Sequence, residues 1–165
     1  MTFVAGFQGP LPPESSALGF AFQGHRLLVR VEQGRPRIPS LVGAASFSDG
    51  SPWVHFFGTF NGAGCYAVCL PEGAAVGAGY ETKGLRELFG RMEEKLVWVA
   101  GRAGQLVHWH RNHRYCGACG RPTADHPGER AKICPGCGAV NHPRVSPAII
   151  VAVLRDRRLL LAHSP

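Results

Sequence analysis

Four cysteines in the second half of the chain have the spacing of metal ligands. Cys116 and Cys119 form one Cys-x-x-Cys pair, and Cys134 and Cys137 form a second pair after fourteen intervening residues. Zinc takes four ligands at the corners of a tetrahedron, and two such turns supply two sulfurs each. A glycine follows each pair, where a positive φ lets backbone amides approach the thiolates. The pattern predicts a closed, structural zinc site with no open position for catalysis.

Two alternatives to zinc remain for this quartet, namely two disulfides or a pair of redox sites. The first residues show no basic segment followed by an apolar run, so we expect no secretory signal, and disulfides are disfavoured. A redox Cys-x-x-Cys is expected beside a βαβ pattern, which the sequence lacks. Cys65 and Cys69 lie in an apolar run, and we expect them to be buried thiols that bind no metal.

The net positive charge of this 165-residue chain lies entirely in its second part. Residues 1–101 carry eight Lys/Arg and eight Asp/Glu, whereas residues 102–165 carry ten Lys/Arg and three Asp/Glu, so the net charge of +7 lies there. A basic surface of this kind attracts phosphates of nucleotides or nucleic acids.

No stretch approaches the roughly 20 apolar residues that cross a bilayer, so we expect a cytoplasmic protein without membrane contact.

The first 80 residues read as a small β-rich unit. Its predicted strands are Ala17–Gln23, Arg26–Glu32, Trp53–Phe60 and Cys65–Leu70, rich in aromatic and β-branched residues. The dipeptide Gly24-His25 between the first two strands predicts a hairpin. The Gly/Pro/Ser-rich segment Gly9–Ser16 is typical of a loop.

A helical period begins at Leu85 and continues to the first cysteine pair. We predict two helical segments there, although Gly90, Gly101 and Gly104 weaken the pattern, since glycine inside a helix costs about 1 kcal/mol relative to alanine. Near the end of the sequence, Pro147–Leu154 and Leu159–Ala162 are apolar runs joined by the charged residues 155–158. They predict a buried β-hairpin.

Three motifs from residue 115 onward resemble the NADH pyrophosphatases of the Nudix hydrolase superfamily. They are Tyr115-Cys116-Gly117-x-Cys119-Gly120, Cys134-Pro135-x-Cys137-Gly138, and His142-Pro143-Arg144-x-x-Pro147 followed by an apolar strand. The resemblance implies an α+β chain with a β-rich N-terminal domain, a helical linker, a zinc ribbon and the first hairpin of a truncated Nudix domain. The implied domain bounds are 1–105, 106–143 and 144–165.

The resemblance also implies an activity. The family hydrolyses the pyrophosphate of NAD(H) to nicotinamide mononucleotide and AMP, and bacterial members remove NAD caps from RNA. Its members are homodimers, and glutamates of the Nudix box hold catalytic Mg or Mn. The sequence stops before that box, and Arg86-Glu87-Leu88 with Glu93-Glu94 has its letters at the wrong spacing. We therefore expect no catalytic residue in this chain, and no hydrolysis by the chain alone.

Three substrate contacts follow from the resemblance alone. Glu129 matches a glutamate in the long loop of the ribbon, Arg86 matches an arginine of the N-terminal domain, and His142 stands where the family has a tyrosine. His110 and His113 are one helical turn apart. We interpret these two as partners of a helix dipole and not as metal ligands.

Two other functions remain open. The basic second part would suit a non-enzymatic zinc-ribbon module that binds nucleic acid or protein. The apolar end would suit a partner subunit that completes the sheet of another chain. The run from Pro143 to Ala162 favours the enzyme reading, since a free-standing ribbon would not need it.

Overall fold

A computed structural model describes residues 2–8, 16–48, 50 and 52–161. The N-terminal elements are β1 (Phe3–Ala5), β2 (Leu18–Gln23), β3 (Arg26–Glu32), β4 (Arg35–Arg37), α1 (Leu41–Ala45), β5 (Trp53–Phe60), β6 (Ala63–Leu70), β7 (Tyr80–Lys83), α2 (Leu85–Leu88) and α3 (Glu94–Asn112). Three short ribbon strands follow, β8 (Ala124–Asp125), β9 (Lys132–Ile133) and β10 (Val140–Asn141). A last hairpin consists of β11 (Leu154–Arg155) and β12 (Arg158–Leu159). The α+β class and the β-rich N-terminal part are as predicted.

Seven strands form one sheet in the order β1-β5-β6-β2-β3-β4, with β7 paired to β3. β2 and β6 run parallel, and the other neighbours run antiparallel. The predicted hairpin between β2 and β3 is confirmed, and its turn uses Gly24 at a φ of 60°. The strands β1, β4 and β7 were not predicted; each is only three or four residues long and is placed by pairing with a longer neighbour.

Both faces of this sheet are covered. Alternate residues of β2, β3 and β6 enter two separate cores. Under α3 lie Phe20, Phe22, Leu27, Val29, Cys65 and Ala67. On the opposite face, beside α1, lie Ala21, Leu28, Tyr66, Val68 and Leu70. Burial on both faces explains why these strands are almost continuously apolar in sequence.

The two helical segments predicted after Leu85 are α2 and α3. The helix α3 packs on the sheet through buried residues that include Ala100, Ala103 and Val107. Gly104 allows its close approach, because a Cβ there would lie 3.0 Å from the ring of Phe22. Gly101 faces open space on the same helix, with no atom within 4 Å of a Cβ.

The predicted burial of the last hairpin is wrong for the described residues. β11 and β12 pair as Leu154↔Leu159 and Arg155↔Arg158, but the whole segment 144–161 is exposed. Its turn lies at residues 156 and 157, where Asp156 has a φ of 54°. No element of the described chain packs over it. Ala162 and residues 9–15 of the predicted loop lie outside the described residues.

Among the described residues, no helix is long and apolar enough to span a membrane.

Alanine substitutions should have opposite effects on stability at Gly101, which faces open space, and at Gly19, which packs against α1. Gly101→Ala should raise the free energy of unfolding by about 1 kcal/mol, because it adds helix propensity without a clash. Gly19→Ala should lower it by about 2 kcal/mol, because its Cβ would lie 2.4 Å from the Cβ of Ala44 in α1. Chemical denaturation of both variants measures these changes, and stabilisation by Gly19→Ala would contradict the packing of α1 on β2.

The exposed hairpin segment should promote association of this chain. Ile149, Ile150 and Leu161 are each at least 80% exposed, and contiguous apolar surface of this kind binds other surfaces. The 165-residue chain should therefore associate with rising concentration in sedimentation experiments, and deletion of residues 147–165 should raise its solubility. A 165-residue chain that stays monomeric at high concentration would contradict this expectation.

Candidate metal centre

Two similar turns bring the four cysteines together. In each turn the amide of the glycine after the pair donates to the carbonyl of the first cysteine, Gly120 to Cys116 and Gly138 to Cys134, both at 2.9 Å. Gly120 and Gly138 have φ values of 72° and 75°, in the left-handed region that favours glycine. The two halves of the quartet are therefore built by the same local geometry.

The distances between the sulfurs fit one tetrahedral ion. All four Sγ atoms lie within 4.8 Å of one another, with 3.6 Å between Cys116 and Cys137 and 3.4 Å between Cys119 and Cys134. Zinc–sulfur bonds of about 2.3 Å would place the sulfurs of a regular tetrahedron about 3.8 Å apart. A disulfide needs about 2.05 Å, so these sulfurs are not cross-linked. The donor set fits a structural zinc ion.

The pKa values of the thiols in this quartet indicate that a cation is needed for all four to ionise. Burial disfavours the thiolate of Cys134, but the amides of Cys137 and Gly136 outweigh it and lower the pKa to about 6. At Cys119 the Arg121 amide favours the thiolate, but hydrogen bonds with the neighbouring thiols and burial outweigh it and raise the pKa to about 12. Some sulfurs ionise readily while others stay protonated. A dication between them would allow all four to bind as thiolates.

The ribbon, defined here as residues 114–141, contacts the sheet through the side chain of Trp53. The indole lies between His55, at a centroid distance of 5.2 Å, and His110, at 4.1 Å, with both rings stacked on it. Its Nε1 donates to Asp125 Oδ2 of the ribbon at 3.1 Å. Lys132, only 4% exposed, pairs with Asp125 at 2.5 Å. One indole thus links β5, α3 and the ribbon.

A second set of contacts joins the same parts. Arg130 of the ribbon donates to His55 Nε2 at 3.0 Å and to the backbone carbonyls of Gly6 and Phe56. Burial, reinforced by nearby cations that include Lys132, lowers the pKa of both His55 and His110 to about 4, so both rings are neutral at pH 7. Neutral rings can pack against an arginine and a lysine without charge repulsion.

No local sequence pattern signals this contact, because the residues of β5, α3 and the ribbon are far apart along the chain. From the sequence we interpret His110 as a partner of the α3 dipole, but in the structure its ring packs on Trp53. His113 does bond within the helix end, with Nδ1 2.8 Å from the carbonyl of Trp109. The cysteine quartet is the only group with metal-ligand geometry in the described part of the chain.

The three substrate contacts implied by the resemblance fall in two places. Glu129 Oε2 lies 3.1 Å from His142 Nε2, and its other oxygen lies 3.8 Å from His126 Nε2. The hydrogen bond with His142 lowers the pKa of Glu129, although the carboxylate stays about half exposed. Arg86 instead lines a cavity of about 630 Å³ between α2, α3 and the β2–β3 turn. No ribbon residue lines that cavity.

Comparisons with known proteins agree with both halves of the structure. Residues 16–109 match the NADH pyrophosphatase-like rudimentary NUDIX domain, and residues 111–140 match the NADH pyrophosphatase zinc ribbon domain. A protein of Deinococcus radiodurans named NAD-capped RNA hydrolase NudC is 36% identical over 99% of this chain and 55% of its own length. Its namesake in Pseudomonas fluorescens is 44% identical over 67% of this chain and 40% of its own length. The chain therefore spans about half the length of the relatives it matches.

The metal content of the chain should follow the quartet alone. We expect one zinc per chain by elemental analysis, and chelation should unfold the ribbon, since structural zinc contributes to its folding free energy. Cys134→Ser should lower the zinc content, whereas Cys65→Ser should not, because Cys65 is buried in the sheet core. Protein purified without chelator that lacks zinc would contradict this assignment.

Proposed function

The chain belongs to the NADH pyrophosphatase family of Nudix hydrolases, and we propose that it forms the N-terminal and zinc-ribbon part of an NAD(H) diphosphatase. The reaction would cleave the pyrophosphate of NAD(H) to give nicotinamide mononucleotide and AMP, or remove an NAD cap from RNA. The observation that carries this proposal is the alignment with a named hydrolase over 99% of the chain. The clustered quartet supports it independently of that alignment.

The proposed division of the chain remains 1–105, 106–143 and 144–165. The first boundary falls inside α3, whose residues Leu106 and Val107 still belong to the core under the sheet. This helix connects the N-terminal domain directly to the ribbon. The ribbon therefore cannot rotate freely relative to the sheet, and the Trp53 contact restrains it further.

Zinc in this proposal has a structural role only. Four cysteine ligands would close its coordination shell, so it could not activate water or bind a phosphate oxygen. The ribbon would instead hold Glu129 and His142 at fixed positions, 13 residues apart in sequence but in hydrogen-bond contact. The metal supports the substrate-binding surface indirectly.

The Glu129–His142 pair is our proposed contact with the dinucleotide. The carboxylate is about half exposed, and the lowered pKa keeps it ionised at neutral pH, so it can accept hydrogen bonds from substrate hydroxyls. His142, which replaces the tyrosine usual in the family, holds the carboxylate in place. Arg86 is a further proposed contact, with its guanidinium available to a phosphate, and lies in a separate cavity.

Hydrolysis would require Mg or Mn, which supplies a metal-activated water and neutralises charge on the phosphates. These ions need clustered oxygen ligands. Asp125 is bonded to Trp53 and Lys132, and Glu129 to His142, while Asp156 lies in the exposed last turn. The described residues bring no three carboxylates together. We therefore propose that the 165-residue chain by itself does not hydrolyse NADH.

The remaining proposals concern partners and location. A homodimer is proposed from the family, and the exposed segment 144–161 offers surface for association. We propose a cytoplasmic location.

The alternative function, a ribbon module that binds nucleic acid without catalysis, is supported by the net positive charge of residues 102–165. Equal affinity for NAD-capped and uncapped RNA, with a steep dependence on salt, would favour this alternative.

Incubation of the chain with NADH and millimolar Mg²⁺ or Mn²⁺ tests the proposal. We expect no release of AMP but measurable binding of NADH. Glu129→Gln should weaken that binding about tenfold, as expected for loss of a charged hydrogen bond. Glu81→Gln is the matched control, since Glu81 is also an exposed carboxylate whose pKa a neighbour lowers, here Lys83.

Two outcomes would contradict the proposal. AMP release that disappears when the chain's own carboxylates are substituted would show that these residues suffice for catalysis. Equal loss of NADH binding in both glutamate variants would show that Glu129 makes no specific contact.

A further inference from the structure

A polar cavity of about 600 Å³ lies between the end of β6, the following turn and the last residues of α3. Its lining includes Trp53, Cys69, Glu72, Arg111 and Arg114. None of the residues that line it belongs to the Glu129–His142 pair or to the Arg86 cavity. It is a separate site at the junction of the sheet and the ribbon.

One arginine that lines the cavity, Arg114, has no acidic partner among the described residues. Arg111 pairs with Glu72, but the side chain of Arg114 makes no hydrogen bond or ion pair within the described residues. Both guanidiniums act on the thiol of Cys69, whose pKa is raised by burial and lowered by the two positive charges. Arg111, Arg114 and Cys69 all line this cavity.

The other groups around the cavity leave its charge positive. His110 lines it and is neutral at pH 7, because burial lowers its pKa to about 4. Its Nδ1 is buried and has no hydrogen-bond partner among the described residues. Among the described residues of the lining, Glu72 is the only carboxylate, against two arginines. One full positive charge is left uncompensated in the described lining.

The form of the cavity favours a phosphate over a nucleobase. The Trp53 ring already contacts three side chains, since His55 and His110 stack on it and the Lys132 ammonium lies 5.9 Å from its centroid, so a base that stacked on it would have to displace one of them. Guanidinium groups bind phosphate oxygens through paired, charge-assisted hydrogen bonds. Recognition here would depend on charge and on N–H donors.

We propose that this cavity is a second anion site, which binds a phosphate group of a nucleotide or of a nucleic-acid backbone through Arg111 and Arg114. Glu72 competes with the ligand for Arg111. Its side chain is 70% exposed and lies in the turn after β6, so it can move away when the phosphate enters. The site does not depend on NAD(H) hydrolysis by the family.

The three tryptophans allow a direct test. Trp53 lines the cavity, whereas Trp98 and Trp109 do not. In two-dimensional ¹H–¹⁵N spectra of the zinc-loaded chain, each indole N–H gives one signal, and Trp53→Phe assigns that of Trp53. Inorganic phosphate, added at constant ionic strength, should shift the Trp53 signal saturably and leave the Trp98 signal in place.

Charge variants should change the affinity in opposite directions. Arg114→Gln should weaken phosphate binding about tenfold, as expected for a charged hydrogen bond. Glu72→Gln should strengthen it several-fold, since it frees Arg111. Arg35→Gln, on β4 away from the cavity, should change neither affinity nor spectrum. Loss of folding cannot strengthen binding, so the opposite signs separate a binding role from a structural one.

AMP and an uncapped single-stranded oligoribonucleotide distinguish the two sources of phosphate. Tighter binding of the oligoribonucleotide would assign the site to a nucleic-acid backbone, and tighter binding of AMP to a mononucleotide. Absence of a saturable Trp53 shift with all three ligands would overturn the proposal. An unchanged affinity in Arg114→Gln would also overturn it. Failure of NADH binding at Glu129 would leave this result unaffected.

Discussion

The contact of the ribbon with Trp53 is the interaction on which the arrangement of the whole chain depends. The indole stacks between one histidine from its own strand β5 and one from α3, while its N–H bonds to Asp125 of the ribbon. Burial in this contact lowers the pKa of both histidines to about 4, so the two rings that stack on the indole are neutral at pH 7. The sheet, the long helix and the ribbon meet at this single side chain.

The ribbon has little else to hold it together. Within residues 114–141 only Cys116, Ala131, Lys132 and Cys134 are buried, so almost no apolar core is available. A segment of this size normally requires a metal or cross-links to fold. The similar turns at Gly120 and Gly138 provide the metal alternative, since they aim four sulfurs at one point. The metal would order the ribbon internally, and Trp53 and Arg130 then fix its position on the sheet.

This arrangement also distributes the charged groups. Asp125 and Lys132 neutralise each other beneath the indole, and Glu129 is paired with His142. Arg130 donates hydrogen bonds to His55 and to backbone carbonyls. Two of the ten basic residues of the second part of the chain, Arg130 and Lys132, therefore take part in the junction between the ribbon and the sheet. Arg114 lacks an acidic partner in the described residues and lies in a cavity, which distinguishes it from a merely solvated arginine.

The sequence by itself determined the elements whose signals are local. The aromatic and β-branched runs of β2, β3, β5 and β6, the helical period after Leu85 and the paired Cys-x-x-Cys turns each depend on neighbouring residues, and the structure contains all of them. The family motifs also consist of neighbouring residues and could be recognised from the sequence. Short strands such as β7 escaped prediction because four residues contain too little periodicity, and β7 exists only through its pairing with β3.

Only the tertiary structure decided which distant residues meet. Trp53 and Asp125 are 72 residues apart, and Glu72 and Arg111 are 39 residues apart. No local pattern encodes either contact. The exposure of segment 144–161 shows the same limit, since an apolar sequence indicates a tendency to be buried but does not specify the surface that buries it. Local composition sets what each segment can form, whereas packing over the whole chain sets which side chains share a site.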